Sequence, residues 1–347
     1  MCLGPYRDII APESTGRVSS GRRALSCYDQ ITRSGPQFAH RSGTVEDHLT
    51  ITARIIDGKA VAARVRTEVA EAVESFTRQH GFAPGLTVVL VGDDAPSATY
   101  VRGKEKASNE VGIDGRVIYL PEDSTQDQVF ETVHALNADE SVHGILVQMP
   151  LPSQIDSDAI TASISPEKDV DGLHPLNLGY LMSGRPRFVP ATPLGIQRIL
   201  MEEGVDLNGA EVAICGRGAL IGRPLSVLLS QRGAGGNATV TLCHTGTANL
   251  AEVTRRADVL VAAMGSAGLI TGEMIKPGAV VIDAGTSRVD DPTRKRGYRL
   301  SGDVAFEEAV EVASAVTPVP GGVGPLTIAM LLQNGLKAAK LAVGTVR

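Results

Sequence analysis

The spacing of apolar residues changes period several times along the chain. In IDGKAVAARVRTEVAEAVESF at 56–76, Val61, Val65, Val69, Val73 and Phe76 recur at helical spacing, which predicts an amphipathic helix. GLTVVLVGD at 85–93 is a short β-branched run stopped by Gly and Asp, the pattern of a buried strand. SATYVRGKEKASNEVGI at 97–113 returns to helical character, with Gly112 as its C-terminal stop. GRVIYLP reads as a second strand. STQDQVFETVHALNAD at 124–139 reads as a helix behind a capping residue, and VHGILVQMPLP as a third strand stopped by Pro150 and Pro152. This alternation predicts a parallel sheet with right-handed crossovers. Ligands of such sheets bind beyond the carboxyl ends of the strands, which singles out Gly92-Asp93 and Gln148-Met149-Pro150.

The pattern then repeats. ATPLGIQRILMEEG at 191–204 predicts a linking helix. After it, AEVAICGRG, ATVTLCH, DVLVAAMG and AVVIDAG read as strands, with LIGRPLSVLLSQRG and TANLAEVTRRA as helices between them. GPLTIAMLLQNGLKAAKLAV at 324–343 predicts a long closing helix. The expected fold class is therefore α/β with two α/β domains. The second is a Rossmann-type module, and the long C-terminal helix packs back on the first. The expected boundaries are 51–194 plus 318–347 for the first domain and 195–317 for the second. Residues 1–50, rich in Ser, Gly and Arg and without sustained periodicity, are expected to be a disordered extension or upstream sequence carried in the chain.

Composition narrows the class. A chain of 347 residues suits two domains, and 43% hydrophobic with 21% charged residues suits a globular core. A net charge of -6 argues against nucleic acid as the main partner. No run is apolar for the roughly 20 residues that span a bilayer, and no secretory signal core is present, so a soluble cytoplasmic protein is expected. Cys2, Cys27, Cys215 and Cys243 show no zinc-type spacing, and no metal site is expected. Cys215 and Cys243, in strand-like runs, read as small buried hydrophobes.

VAICGRGALIGRP at 212–224 joins a strand to a helix through Gly216, Gly218 and Gly222, one residue longer than the usual dinucleotide spacing. Glycine admits a pyrophosphate to the backbone, and the helix N-terminus favours its charge. Alone the turn is a weak signal; the surrounding strand–helix pattern favours nucleotide binding. The next strand ends in His244, Thr245, Gly246 and Thr247, with no acid for a ribose 2′-hydroxyl, while Arg217 sits in the glycine turn. A cation, hydroxyls and no carboxylate favour NADP over NAD.

On the helix at 97–113, Ser97, Tyr100 and Lys104 share one face, and Lys106 points elsewhere. From spacing alone an ordinary surface lysine beside a half-buried tyrosine is the stronger reading. Gln148 ends an apolar strand, where an amide is costly to bury without a partner. In KDVDG at 168–172, an extended backbone places the Asp169 and Asp171 carboxylates on one side; a helix cap or Asx-turn is the other reading. PVPGGVGPLT at 318–327 opens a helix after a proline- and glycine-rich loop, either a rigid connection or a wall beside a flat ligand.

TYVRGKEK at 99–106, ILVQMPLP at 145–152, KDVDG at 168–172 and PGGVGP at 320–325 together resemble the bifunctional methylenetetrahydrofolate dehydrogenase/cyclohydrolase family. The likeness runs from about Ile55 to about Ala339. It implies an enzyme of one-carbon metabolism and purine biosynthesis, oxidising 5,10-methylenetetrahydrofolate with NADP and hydrolysing the product. It also implies a homodimer paired through the cofactor domains. Lys104 becomes the catalytic lysine, tuned by Gln148 and supported by Ser97. Tyr100 stacks on the pterin and Asp171 holds it. Gly321, Gly322 and Pro325 line the folate pocket, and Gly216, Arg217, Gly218, Thr245 and Thr286 match the family's NADP positions. Gly218 stands where the family often has Ser or Thr, and Gly246 where it often has Lys or Arg. Two rivals share parts of the pattern: another two-domain NAD(P)-dependent dehydrogenase of shikimate or amino-acid type, and a non-catalytic nucleotide-binding regulator.

Overall fold

The computed structural model describes residues 52–92, 95–294 and 296–345. The expectations for residues 1–50 and for Asp93 lie outside the described residues. The chain runs β1 (Arg54–Ile55), α1 (Gly58–His80), β2 (Gly85–Val91), α2 (Ala95–Glu110), β3 (Asp114–Leu120), α3 (Gln126–Ala138), β4 (Gly144–Val147), α4 (Ser157–Ser163), α5 (Pro175–Met182) and α6 (Ala191–Glu202). It continues with β5 (Glu211–Cys215), α7 (Gly222–Ser230), β6 (Thr239–Cys243), α8 (Leu250–Thr254), β7 (Val259–Ala262), β8 (Val280–Asp283), β9 (Ser287–Asp290), β10 (Tyr298–Ser301), α9 (Phe306–Val312), β11 (Ala315–Val316) and α10 (Val323–Ala342).

The first module is a parallel sheet in the order β3-β2-β4. All seven residues of β2 are buried, because it is the middle strand and helices cover both its faces. The edge strand β3 alternates exposed and half-buried positions. Local chemistry sets the helix ends. The Asp57 carboxylate accepts the Ala60 N–H at 3.0 Å, and Gly81 closes α1 in the left-handed region at φ 81°. Thr125 and Gln128 form a reciprocal capping box at the start of α3.

The second sheet is also parallel, in the order β1-β11-β8-β7-β5-β6. Its outermost pairing on one side brings in a segment that sequence patterning places in the other domain: Arg54 pairs with Ala315, which in turn pairs with Val280. β9 and β10 form a separate antiparallel hairpin that the sequence pattern did not reveal. One continuous core contains apolar residues of α1, α6 and α10 and of strands from both sheets, including Val61, Leu86, Ile196, Ile214 and Leu326. The closing helix α10 packs on α1 and α6, as its expected return onto the first domain requires. Its Asn334 amide, buried, donates to Val170 O at 2.8 Å and Val189 O at 3.0 Å. Among the described residues, no helix is long and apolar enough to cross a membrane.

Candidate active site and cofactor turn

A cleft of about 1090 Å³ opens at the carboxyl ends of strands from both sheets. Its first wall is α2. Ser97, Tyr100 and Lys104 all line it, whereas Lys106 pairs with Glu110 on the exposed face of the helix. Lys104 is only 5% exposed. Its Nζ lies 4.9 Å from the centre of the Tyr100 ring and donates to Gln148 Oε1 at 2.9 Å.

Gln148 follows β4 directly, and its backbone N–H still bonds Val89 O of the central strand at 2.8 Å. Its Nε2 donates to Met149 O at 2.6 Å. That bond uses the amide's donor side and leaves the acceptor oxygen turned to the lysine. Burial lowers the Lys104 pKa below the ordinary lysine value, while the negative charge of Asp171 acts in the opposite direction. Burial raises the Asp171 pKa, the Lys104 charge opposes the rise, and Asp169 adds to it. The Tyr100 phenol is pushed up to about 12, chiefly by desolvation, against a lowering hydrogen bond with Thr327 of α10.

Asp169 and Asp171 do not share one side, because residues 169–172 form a turn rather than an extended run. Asp169 is fully buried and accepts from His174 N at 2.8 Å and Asn177 Nδ2 at 2.8 Å. Gly172 completes the turn at φ 73°, with Val189 and Pro190 too close to admit a side chain without movement. Asn334 holds Val170 from the other side. Asp171 is thereby set into the cleft by its neighbours. Asn177 and Asn334 are supporting residues that sequence reasoning missed.

The opposite wall is the loop 318–325. Gly321, Gly322 and Pro325 line the cleft. A Cβ on Gly58 would come within 1.9 Å of Gly322 O, so the loop rests directly on the start of α1. Thr317 accepts the Asp283 N–H at 2.7 Å, joining this loop to the end of β8. Asp283 accepts from Gly285 N at 2.9 Å, Asp303 N at 3.0 Å and Val304 N at 2.9 Å. Its carboxyl is pushed up to about 6, first by burial. This arrangement fixes Asp283-Ala284-Gly285 and presents Thr286 to the cleft.

Gly216, Arg217, Gly218 and Thr245 are outside that cleft, on the turns after β5 and β6 along the same sheet edge. Gly216 has φ 119°, and a Cβ there would meet Ala263 O at 2.1 Å. A Cβ on Gly222 would meet Gly216 O at 1.7 Å. At Gly218, by contrast, nothing lies within 4 Å of where a Cβ would be, so the backbone is open to a ligand. No side chain caps α7 at Ile221; in its first turn the Arg223 N–H donates to Gly218 O at 3.1 Å and Pro224 has no N–H, so Gly222 is the first-turn amide that a phosphate could engage. The turn after β6 carries no carboxylate. These features fit a dinucleotide whose pyrophosphate lies on the β5–α7 turn. Cys215 and Cys243, opposite each other in the sheet register, are free and buried beneath the turns.

The profile described as "Tetrahydrofolate dehydrogenase/cyclohydrolase, catalytic domain" matches residues 56–171, and the NAD(P)-binding domain of the same family matches residues 190–343. The bifunctional protein FolD of Pelodictyon phaeoclathratiforme is 50% identical over 286 residues, covering 82% of this chain and 97% of that protein. Among solved structures, the Campylobacter jejuni FolD methylenetetrahydrofolate dehydrogenase/cyclohydrolase is 43% identical, with a TM-score of 0.78 over 83% of this chain and 99% of its own. The Trypanosoma brucei enzyme, solved with NADP cofactor and an inhibitor, is 42% identical with a TM-score of 0.80 over 84% and 99%. The chain therefore belongs to the tetrahydrofolate dehydrogenase/cyclohydrolase family.

Proposed function

We propose that this protein oxidises 5,10-methylenetetrahydrofolate to 5,10-methenyltetrahydrofolate with NADP and hydrolyses that product to 10-formyltetrahydrofolate. The observation that carries the reading is the buried Lys104 amine, held by Gln148 in the same cleft that Thr286 enters from the cofactor module. NADP supplies the hydride acceptor; the chain's part in that step is orientation and exclusion of water. Tyr100 stacks on the pterin, and Asp171 accepts hydrogen bonds from its ring. Ser97 supports the lysine, and Gly321, Gly322 and Pro325 form the wall against the ring. Gly216, Arg217, Gly218 and Thr245 hold the nucleotide, with Thr286 at the nicotinamide end.

In the second reaction, neutral Lys104 takes a proton from the water that attacks the methenyl carbon. It returns a proton to N5 as the carbon–N5 bond breaks, and the hydroxyl proton leaves as the formyl group forms. Gln148 holds the amine at the attacking face. Residues 51–194 and 318–347 are the folate half and 195–317 the cofactor half. A homodimer paired through the cofactor halves, in the cytoplasm, belongs to the same reading.

The pH profile of hydrolysis tests the lysine's role. The rate is expected to rise with pH and to level off below the ordinary lysine range, because burial favours the neutral amine. Asp171 opposes that shift, so Asp171→Asn is expected to move the midpoint to lower pH while raising KM for the folate. A midpoint that stays fixed or moves upward contradicts the assignment.

A further inference from the structure

We propose that the His244 imidazole is a specificity-determining residue for the cofactor, donating a hydrogen bond from Nε2 to the 2′-phosphate of NADP. The inference rests on the NADP reading above. In parallel sheets of this kind, the end of the second strand of the nucleotide module is where the adenosine ribose is read. His244 is the first residue after β6, and the Cys215–Cys243 register places it beside the turn that carries Arg217. The backbone N–H of Gly216 donates to Cys243 O at 2.9 Å, which fixes the two turns against each other.

The loop sets the role of each ring nitrogen. Gly246 N donates to His244 Nδ1 at 3.0 Å, so Nδ1 is an acceptor. With Nδ1 accepting, the ring hydrogen lies on Nε2. Thr247 holds the same residue twice: its Oγ1 accepts the His244 N–H at 2.8 Å, and its N–H donates to His244 O at 2.8 Å. The result is a four-residue turn, 244–247, that holds the imidazole through Nδ1 and leaves Nε2 as its donor.

Gly246 makes this possible. A Cβ there would lie 3.2 Å from His244 Cε1 and 3.3 Å from Nδ1, tighter than most real contacts. The position that lacks a side chain thus makes room for the ring. With no carboxylate at this strand end to repel a phosphate, the donor set is the Arg217 guanidinium, the Thr245 hydroxyl and His244 Nε2.

Two isosteres separate the loop role from the phosphate role. His244→Asn puts an acceptor where Nδ1 stands and removes the distal donor; His244→Gln keeps a donor near the Nε2 position and loses the loop acceptor. Calorimetric titration with adenosine 2′,5′-bisphosphate and with 5′-AMP reads binding directly. The kcat/KM ratio for NADP over NAD reads it in turnover. Expected is a loss of about 10-fold in bisphosphate affinity for His244→Asn, the effect of one hydrogen bond to a charged group, with 5′-AMP affinity unmoved and partial recovery in His244→Gln. Wild-type preference for the bisphosphate that persists in His244→Asn overturns the proposal while leaving the NADP reading intact. A wild-type protein that does not distinguish the two nucleotides overturns both.

Discussion

Replacing Lys104 with methionine is expected to lower the rate of methenyltetrahydrofolate hydrolysis by about 10²- to 10⁴-fold, the usual contribution of a positioned acid–base group. Methionine matches the stem of lysine and removes only the amine, so the packing of α2 survives. Lys104 is 5% exposed, and its amine is bonded to Gln148 and lies next to the Tyr100 ring, which positions it at the reacting carbon in the proposed arrangement. Hydride transfer asks no proton of the protein, so oxidation in this variant is expected to fall far less than hydrolysis. Stopped assays supplied with methenyltetrahydrofolate, compared with the uncatalysed decay, measure the effect. Hydrolysis at the wild-type rate would remove Lys104 from the mechanism.

The second large effect lies at Gly216. Its φ of 119° is a region open to glycine alone, and a Cβ would sit 2.1 Å from Ala263 O and 2.7 Å from Ala263 C. Backbone atoms cannot move aside as a flexible side chain can. Gly216→Ala is therefore expected to displace the β5–α7 turn and weaken dinucleotide binding by about 10- to 100-fold, in line with the cost of overpacking a tight site. Oxidation falls with cofactor affinity. Hydrolysis of supplied methenyltetrahydrofolate is expected to persist, since its residues come from α2, the end of β4 and the 169–172 turn. Fluorescence titration with NADP, run beside a hydrolysis assay, separates the two outcomes. Equal loss of both activities would mean that the turn supports the whole fold rather than the cofactor.

The two variants divide the activities in opposite directions, and that division follows from how the sequence is written. The long elements were legible because their apolar periods are strong: Val61 to Phe76 on α1, the β-branched run of β2, and the face of α2 that carries Tyr100 and Lys104. The placement of Gln148 at a strand end also followed from pattern alone. What stayed hidden depends on residues far apart in the chain. The two-residue strand β1 exists only because β11, some 260 positions later, offers it a partner. The helices α4 and α5 are short, and each is started by one side-chain cap, from Asp156 and His174. The turn that separates Asp169 from Asp171 is held by Asn177 and Asn334, and nothing in KDVDG itself announces either. The Asp283 network likewise closes through Asp303 and Thr317. The chemistry-bearing residues could thus be named from motifs, but the supports that aim them could not.

In the proposed function, one cleft performs oxidation and then hydrolysis on the same folate. The most direct measurement mixes the purified protein with 5,10-methylenetetrahydrofolate and NADP, and in parallel with NAD, and follows methenyltetrahydrofolate by its absorbance. The signal is expected to appear with NADP and then to decay faster than it does without protein. No methenyltetrahydrofolate with either nucleotide would contradict that function.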